Sequence, residues 1–418
     1  MKKTILAISL FLTAFLPAVA QHFVGGDISM LPLYESKGAQ YKTNSGTAIP
    51  DMLEYFKSEK LNSMRVRLFV DPSKATADEQ NQGVKQDLAY VKALGKRIKD
   101  SGFSFMLDFH YSDTWADPVK QFTPSNWLSL SETELQQKIY DYTKDCLQQL
   151  KEAGAEPDFI QTGNEINYGI LWGDRNSKTY YAAGTSGQER FMTLLKQASK
   201  ACREVCPNAK IIMHTERVAK LSTLTAFIND LQTYSVDYDI IGLSYYPYWH
   251  GNLATLNIAL TVLERDYADK KIMVVETGYC AHWAINGDYD LSATYPITEA
   301  GQKNFTEDLI EKLKAHPNVI GLYWWWPEAN EYGIDWQQAV TPSGWYNATL
   351  FDNQTGKAYK ALSSLKNFLT EEQLSIANSV NQYAPDQAFA YDLCGQKVSS
   401  NYNSIVIKNG KKIIISNK

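Results

Sequence analysis

Eight short apolar runs, rich in Val, Ile and Phe, recur along this 418-residue chain, and amphipathic segments separate most of them. The strand-like runs are Phe23–Asp27, Met64–Val70, Ser104–Tyr111, Asp158–Glu165, Lys210–Glu216, Tyr238–Pro247, Lys271–Tyr279 and Val319–Pro327. The helical patterns are Asp87–Ser101, Thr133–Ala153, Gly187–Val205, Asn257–Asp269 and Thr298–Ala315. Apolar strands that alternate with helices are typical of a parallel sheet covered by helices, and eight repeats predict a closed α/β fold, the (β/α)8 barrel. No Gly-rich phosphate loop follows the first strand, which argues against a nucleotide-binding sheet.

Residues 1–20 have the pattern of a secretory signal peptide. Lys2 and Lys3 precede the apolar stretch Thr4–Leu16, and Ala18-Val19-Ala20 supplies small residues before the cleavage point. No later apolar run reaches the 18 residues that suggest a membrane span. The chain is therefore expected to be exported, to the periplasm, the cell surface or the medium.

The barrel is expected to occupy residues 21–369, and residues 370–418 form a tail of different character. The tail is polar and rich in Asn and Gln, with strand-like runs at Ala388–Leu393, Ser404–Lys408 and Lys412–Ser416. Asn409-Gly410 is a strong hairpin turn signal between the last two runs. A small β appendage is predicted, with packing on the barrel, export or attachment as alternative roles.

Composition narrows the class of ligand. Lys and Arg number 41 and Asp and Glu 46, for a net charge of −5, and without a long basic run the chain is a poor candidate for binding nucleic acid. Aromatic residues make up 12%, which suits a cleft for a flat, hydroxyl-rich ligand.

Five cysteines are too few for a disulfide scaffold and are read as buried apolar groups. A monomer that binds a polysaccharide is expected.

The strand-like runs end on polar or aromatic residues. In an α/β barrel the carboxyl ends of the strands face the active site, so these residues are the candidate site. They are Arg65, Arg67, Asp108, His110, Asn164, Glu165, His214, Glu216, Tyr245, Tyr246, Glu276, Trp324, Trp325 and Trp326.

Glu165 and Glu276 each stand where an apolar strand ends, in the segments IQTGNEIN (160–167) and IMVVETGYC (272–280). Strands four and seven of an eight-stranded barrel lie across its mouth from each other. Retaining hydrolysis of a glycosidic bond needs two carboxyl groups on opposite sides of that bond, ~5–5.5 Å apart. The two glutamates are therefore the candidate catalytic pair of a glycoside hydrolase.

Over about residues 23–368 the chain resembles glycoside hydrolase family 53, the endo-β-1,4-galactanases of the clan of retaining (β/α)8 barrel glycosidases. The segments that carry the resemblance are Gly26–Ser29, VRLFV (66–70), LDFHYSDTWADP (107–118), Gly163–Glu165 with Leu171-Trp172, SYYP (244–247) and VVET (274–277). The two Glu motifs alone indicate the clan, whereas the long, irregular DTWADP segment singles out the family.

The resemblance implies roles for several residues. Glu165 resembles the general acid/base and Glu276 the nucleophile of a double displacement, and Asn164 resembles the residue that bonds the sugar 2-hydroxyl. An Arg near the nucleophile keeps it ionised, and Arg67 is predicted to lie beside Glu276.

Further substrate contacts are expected around this pair. His110 and His214 resemble residues that orient substrate or a catalytic carboxylate. Tyr246 is predicted to bond the nucleophile, with Tyr245 as its rival, and Trp325 resembles the sugar platform, although Trp326 stands where many relatives have Glu. Outer subsites are predicted at Asp113, Trp115 and Trp172, with Asp27 and Asp108 as weaker candidates near the mouth.

No redox or organic cofactor is expected, and no metal ligand belongs to the catalytic site. The loop Asn286–Asp290 spaces oxygen ligands at Asp288 and Asp290 as a structural calcium site would, although a solvated turn is favoured and Tyr346 replaces an acidic position of some relatives. The predicted substrate is the β-1,4-galactan side chain of pectin. The alternatives are a β-mannanase or cellulase of the same clan and a non-catalytic glycan-binding barrel.

Overall fold

Eight parallel strands close into a barrel in the computed structural model, which describes residues 21–175, 185–335, 347–375 and the strands of the tail. The barrel strands are β1 (Phe23–Asp27), β2 (Ser63–Leu68), β3 (Ser104–Phe109), β4 (Phe159–Thr162), β5 (Lys210–Thr215), β6 (Ile240–Tyr245), β7 (Lys271–Thr277) and β8 (Val319–Trp325). Each strand pairs with its neighbours in sequence, and β8 pairs with β1. The predicted (β/α)8 fold is confirmed, and the predicted strand ends agree to within three residues.

A helix follows each strand. The helices are α1 (Met52–Ser58), α2 (Leu88–Asp100), α3 (Glu132–Glu152), α4 (Thr185–Val205), α5 (Leu221–Thr233), α6 (Leu253–Asp266), α7 (Glu299–Lys314) and α8 (Lys360–Ser364). Asp87, Ser131, Asn252 and Thr298 cap the free N–H groups at the starts of α2, α3, α6 and α7. Five helices match the predicted segments to within four residues. No segment was specified for α1 and α5, and α8 lies within the predicted barrel, which was expected to end at residue 369.

Shorter elements lie in the loops. They are the helices Leu31–Ser36, Ala77–Asn81 and Pro247–His250, the 3-10 turns Pro72–Lys74, Ser125–Trp127, Arg217–Ala219 and Leu365–Phe368, and a hairpin of Tyr41–Lys42 with Ala48–Ile49. Pro247–His250 follows β6 and Arg217–Ala219 follows β5, each after one residue, so both lie at the carboxyl end of the barrel.

The interior of the barrel changes from apolar to polar along its axis. An apolar cluster fills one layer with Met106, Phe159, Ile212, Ile240, Met273, Val275 and Tyr323. Two residues further along β3, β4 and β5, on the same face by alternation, stand Asp108, Gln161 and His214, all fully buried. Because burying polar groups is costly unless they are paired, this second layer indicates a functional centre at the carboxyl ends.

A β-bulge in β7 changes which way the end of that strand faces. On β6, Leu243 pairs with Val274 and Ser244 pairs with Glu276, so Val275 is an extra residue in β7. Val275 contributes to the interior cluster, and strict alternation would then direct Glu276 outward to the helices. The bulge instead turns Glu276 towards the polar layer of the barrel.

The tail contains a four-stranded antiparallel sheet in the order β10-β9-β11-β12, formed by β9 (Ala390–Tyr391), β10 (Lys397–Val398), β11 (Ser404–Lys408) and β12 (Lys411–Ile415). Residues just after the predicted boundary at 369 still contact the barrel, because the Gln373 side chain bonds the backbone N–H and carbonyl of His22.

Residues 1–20 lie outside the described part of the chain, and the signal peptide stays a prediction. None of the described helices is long and apolar enough to cross a membrane. Cys146, Cys202, Cys206 and Cys280 are buried and free, as predicted, and Cys394 lies outside the described residues.

Candidate active site

A cavity of about 640 Å³ opens at the carboxyl ends of the barrel strands, and both Glu165 and Glu276 line it. Glu165 follows β4 and Glu276 lies in β7. Going round the barrel, β5 and β6 separate the two glutamates on one side, and β8, β1, β2 and β3 separate them on the other. The two carboxyl groups therefore reach the same cavity from facing walls.

Glu276 is held by a cation and a hydroxyl. Nη2 of Arg65 lies 3.0 Å from its Oε1, and the Tyr246 hydroxyl donates a hydrogen bond of 2.9 Å to its Oε2. Burial raises the pKa of Glu276 to about 6, and the positive charge of Arg65 opposes that rise. The surroundings thus restrain the effect of burial and favour an ionised Glu276 near neutral pH.

Arg65 anchors the polar layer of the barrel. Its guanidinium bonds Asp27 at 2.8 Å and Asp108 at 2.7 Å, and it donates to Oδ1 of Asn164 at 2.9 Å. The three carboxylates that contact Arg65, which are Asp27, Asp108 and Glu276, are all buried. A buried ion pair is tolerated only when its hydrogen bonds are satisfied. Asp27 and Asp108, the weaker candidates of the sequence analysis, therefore contact Arg65 and help to set its position.

The prediction that Arg67 lies beside Glu276 is wrong, because Arg65 occupies that place. Arg67 is two residues nearer the rim on the same face of β2. There its guanidinium lies 3.3 Å from Asp27 and 4.5 Å from the centre of the Trp115 ring. Arg67 still lines the cavity, as a cation enclosed by aromatic rings.

Glu165 has surroundings of the opposite kind. Its backbone adopts a left-handed conformation with φ of 49°, which is rare for a residue with a side chain and is common at functional sites. The Ser244 hydroxyl donates to its Oε1 at 2.6 Å. Burial raises the pKa of Glu165 well above its ordinary value, and the negative charges of Glu276 and Glu216 raise it further. These surroundings favour a protonated Glu165.

Several predicted substrate residues line the same cavity. Asn164 is next to Glu165, and its side-chain amide also donates to the carbonyl of Ala116 at 2.8 Å. Nδ1 of His110 accepts the backbone N–H of Ala116 at 2.9 Å, which fixes the orientation of the imidazole. The others that reach the cavity are Arg67, Trp115, Tyr246 and Trp325.

Three predicted residues lie elsewhere. Trp172 is fully buried and its indole N–H donates to the carbonyl of Tyr168, so the prediction that it lines an outer subsite is wrong. Asp113 lines a separate hollow and accepts hydrogen bonds from the backbone N–H and hydroxyl of Ser125, both at 2.8 Å, so it structures a loop instead of facing the cavity. His214 is fully buried behind the cavity wall, among the polar residues around Glu165.

The structure settles two choices that the sequence left open. The hydroxyl of Tyr245 bonds the carbonyl of Gly251 at 2.9 Å, so Tyr246 is the tyrosine at Glu276. Trp324 faces the helix layer, where its indole N–H donates to the carbonyl of Ala348, whereas Trp325 faces the cavity. The ring of Trp326 stacks on that of Trp325 with centroids 4.2 Å apart.

Glu216, a strand-end candidate for which no role was predicted, and Trp249, which was not predicted, also line the cavity. Burial raises the pKa of Glu216 to about 7, with Arg217 opposing the rise from 2.6 Å away. The position of Glu216 at the end of β5 was the sequence signal that could have identified it as a cavity residue. Trp249 lies just beyond the SYYP motif, in a short helix whose geometry the sequence did not indicate.

The loop with Asp288 and Asp290 was the candidate calcium site. Asp290 accepts the backbone N–H of Ser292, as in a turn, while Asp288 lines the cavity. Within the described ranges there is no group of three or more His, Cys, Asp or Glu that could hold a metal, and Tyr346 lies outside them. A structural calcium ion at this loop stays a prediction.

Comparison with known proteins gives a consistent result. The model of the family described as glycosyl hydrolase family 53 matches residues 23–368. An arabinogalactan endo-β-1,4-galactanase from Cellvibrio japonicus is 32% identical, over 84% of this chain and 93% of its own. An endo-β-1,4-galactanase from Bacillus subtilis is 28% identical, over 79% and 81%. The solved catalytic domain of a family 53 protein from Ignisphaera aggregans superposes with a TM-score of 0.72 at 32% identity, over 84% of this chain and 97% of that one.

Proposed function

The chain belongs to glycosyl hydrolase family 53 and is a retaining endo-β-1,4-galactanase, and we propose that Glu276 is its nucleophile and Glu165 its general acid/base. One observation carries this assignment. Glu165 and Glu276 face one cavity, and of these two carboxyl groups only Glu276 is bonded directly to a cation. A retaining glycosidase needs this difference, because one carboxyl must attack as an anion while the other gives a proton.

In the first half of the reaction, an ionised oxygen of Glu276 attacks the anomeric carbon of the galactose in the cavity. The bond from that carbon to the glycosidic oxygen breaks, and Glu165 gives its proton to the departing oxygen. The products are a galactosyl ester of Glu276 and a shortened chain with a free hydroxyl.

In the second half, Glu165 is ionised and takes a proton from a water molecule. The oxygen of that water attacks the anomeric carbon from the face that the first product left, and the bond to Glu276 breaks. Two inversions give net retention, so the new reducing end has the β configuration. Glu165 is protonated again, ready for the next bond.

The residues around the pair supply the rest of the site. Asn164 is placed to bond the sugar 2-hydroxyl, an interaction that strengthens in the transition state. Trp325 and Trp115 offer aromatic faces on which sugar rings stack, and His110 and Arg67 add polar contacts at the same rim. Tyr246 holds Glu276 so that the attacking oxygen keeps its direction.

We further propose that the chain is exported as a monomer and acts on the β-1,4-galactan side chains of pectin. The pattern of residues 1–20 supports export. The names of the Cellvibrio and Bacillus relatives support galactan, and an acidic chain without a basic patch suits a neutral polysaccharide.

Product analysis tests this function. The purified protein is incubated with galactan, mannan, cellulose and xylan, and the fresh products are followed by NMR. Galactan alone is expected to be cut internally, with the β-anomer of the new reducing end appearing first. Cleavage of mannan or cellulose in preference to galactan, binding of galactan without cleavage, or an α-anomer appearing first each contradicts the proposal.

A further inference from the structure

Ser244 touches a catalytic carboxyl without touching the cavity. It is fully buried on β6 and does not line the cavity, yet its hydroxyl donates to Oε1 of Glu165 at 2.6 Å. A hydroxyl has one proton to give, so Ser244 Oγ is an acceptor towards its other close neighbour. That neighbour is Nε2 of His214, 2.8 Å away.

The other nitrogen of His214 shows where its proton is. The backbone N–H of Glu165 points at Nδ1 over 3.2 Å, and the side-chain amide nitrogen of Gln161 lies 3.0 Å from it. That amide nitrogen also donates to Asp108 at 2.6 Å, so its orientation is fixed by a carboxylate. Two donors face Nδ1, which is therefore unprotonated, and the ring proton lies on Nε2.

One contact opposes this assignment. Oδ1 of Asn164, which can only accept, lies 3.1 Å from Nδ1 of His214 and also accepts the guanidinium of Arg65 at 2.9 Å. The two donors that face Nδ1 outweigh this single acceptor. Burial lowers the pKa of His214 well below its ordinary value, Arg65 and His110 lower it further, and Asp108 opposes them. His214 is thus a neutral ring whose Nε2–H faces Ser244.

We propose that His214 and Ser244 form a hydrogen-bond chain of fixed direction, His214 Nε2–H to Ser244 Oγ–H to Glu165 Oε1, which reserves Oε1 as an acceptor and leaves Oε2 to carry the catalytic proton. This inference rests on the proposed role of Glu165 as acid/base. Ser244 and His214 are positioning residues, since neither touches the cavity.

The chain would matter most when Glu165 is ionised. After Glu165 has protonated the leaving oxygen, the new negative charge meets a hydroxyl that already points at it, so no dipole has to reorient. Three carboxylates face Glu165 from other elements, Glu276 on β7, Glu216 after β5 and Asp117 after β3, and all of them raise its pKa. Ser244 is the hydrogen-bonding group that opposes them.

NMR of the wild-type protein tests the direction of the chain. With isotope-labelled histidine, the ring nitrogens of His214 are identified by the loss of their signals in His214→Asn. The expected result is a neutral ring with its proton on Nε2 across the active pH range. A proton on Nδ1, or a doubly protonated ring, overturns the proposal.

The pH dependence of kcat/KM on galactan tests the effect on Glu165, whose deprotonation sets the basic limb. Ser244→Ala removes the donor to the ionised form, so the limb is expected to move up by about one to two pH units. Ser244→Thr keeps the hydroxyl and is expected to bring the limb back towards the wild-type position. In the Ser244→Ala background, His214→Asn is expected to add no further shift, because His214 acts through Ser244.

Ser63→Ala is the matched control. Ser63 is another fully buried serine of a barrel strand, but its hydroxyl contacts that of Tyr323, so the basic limb is expected to stay in place. A limb that does not move in Ser244→Ala, or that moves equally in Ser63→Ala, overturns the inference. Failure of the proposed function looks different, since Glu165→Ala would then retain full activity on galactan.

Discussion

The walls that hold Glu165 and Glu276 differ although the two carboxyl groups share a cavity. Glu276 lies within β7, just after the bulge at Val275, next to Arg65 and the Tyr246 hydroxyl. Glu165 lies just past the end of its strand in a left-handed conformation, bonded to the hydroxyl of Ser244, with Glu216 nearby. Glu276 is buried and Glu165 is partly exposed, yet burial raises the pKa of both, so burial alone does not distinguish them.

The difference lies in the sign of the neighbouring charge. A cation within contact distance favours an ionised carboxyl, whereas a second carboxylate favours a protonated one. Arg65 is itself compensated by Asp27 and Asp108, so the barrel carries a buried cation without leaving it unpaired. The proton of the acid and the charge of the nucleophile are thus set by neighbouring charges, and the cation among them, Arg65, is fully buried and does not line the cavity.

Removing the carboxylate of Glu276 is expected to have the largest effect. Glu276→Gln keeps the shape of the side chain but cannot attack, so kcat on galactan should fall by about four orders of magnitude or more. Binding of galactan, measured by calorimetry, should be largely retained. Substantial remaining turnover would contradict the assignment of Glu276 as the nucleophile.

Removing Glu165 should cost less and depend on the leaving group. In Glu165→Ala, kcat/KM on galactan is expected to fall about 10²–10⁴-fold, because the departing oxygen loses its acid. An activated aryl β-galactoside needs little acid help, and azide is expected to restore its turnover by entering the space of the lost carboxyl. NMR should identify the product as the β-galactosyl azide, and an α-galactosyl azide would be inconsistent with retention.

Replacing Arg65 tests how much its charge contributes to the difference between Glu276 and Glu165. Arg65→Lys keeps one charge but places it on a single nitrogen, which cannot occupy the separate positions of Nη1 beside Asp27 and Nη2 beside Glu276. The pKa of Glu276 should therefore rise above its present value of about 6. Because the nucleophile has to be ionised, the acid limb of the kcat/KM profile should move to higher pH, with activity down about tenfold at neutral pH. The basic limb should stay in place. An unchanged acid limb in a folded variant would contradict the role given to Arg65.

The smallest expected change is at the hydroxyl that bonds Glu276. Tyr246→Phe should lower kcat a few-fold to about tenfold and move the acid limb up slightly, because a hydrogen bond to the ionised form is lost. Tyr245→Phe is the matched control, since its hydroxyl bonds Gly251 and faces away from the cavity. Equal losses of activity in the two variants would show that the effect is one of packing.

Much of the barrel could be predicted because its signals are local. Apolar runs of strand length and capped amphipathic segments recur in order, and parallel strands with their sequence neighbours adjacent leave few other topologies. Glu165 and Glu276 were recognised for the same reason, since each marks the end of a strand. Helices α1 and α8 have seven and five residues, which leaves little amphipathic period from which to predict their bounds.

The choice between neighbouring side chains could not be made from sequence. Arg65 and Arg67 share one face of β2, and their separation along the strand decides which of them reaches Glu276. The bulge at Val275 depends on how β7 pairs with its neighbours, and no pattern in the segment VVET predicts it. Trp172 stands in a family motif, yet it packs inside the protein, because a motif residue can serve the fold as well as the ligand.

Trapping the covalent intermediate tests the central claim most directly. A 2-deoxy-2-fluoro β-galactosyl substrate with a good leaving group slows the second half of the reaction more than the first, so the galactosylated enzyme accumulates. Peptide mass spectrometry is expected to find the added sugar on the peptide that contains Glu276 and on no other. A sugar on the peptide of Glu165, or turnover without any labelled peptide, would contradict the assignment of the two glutamates.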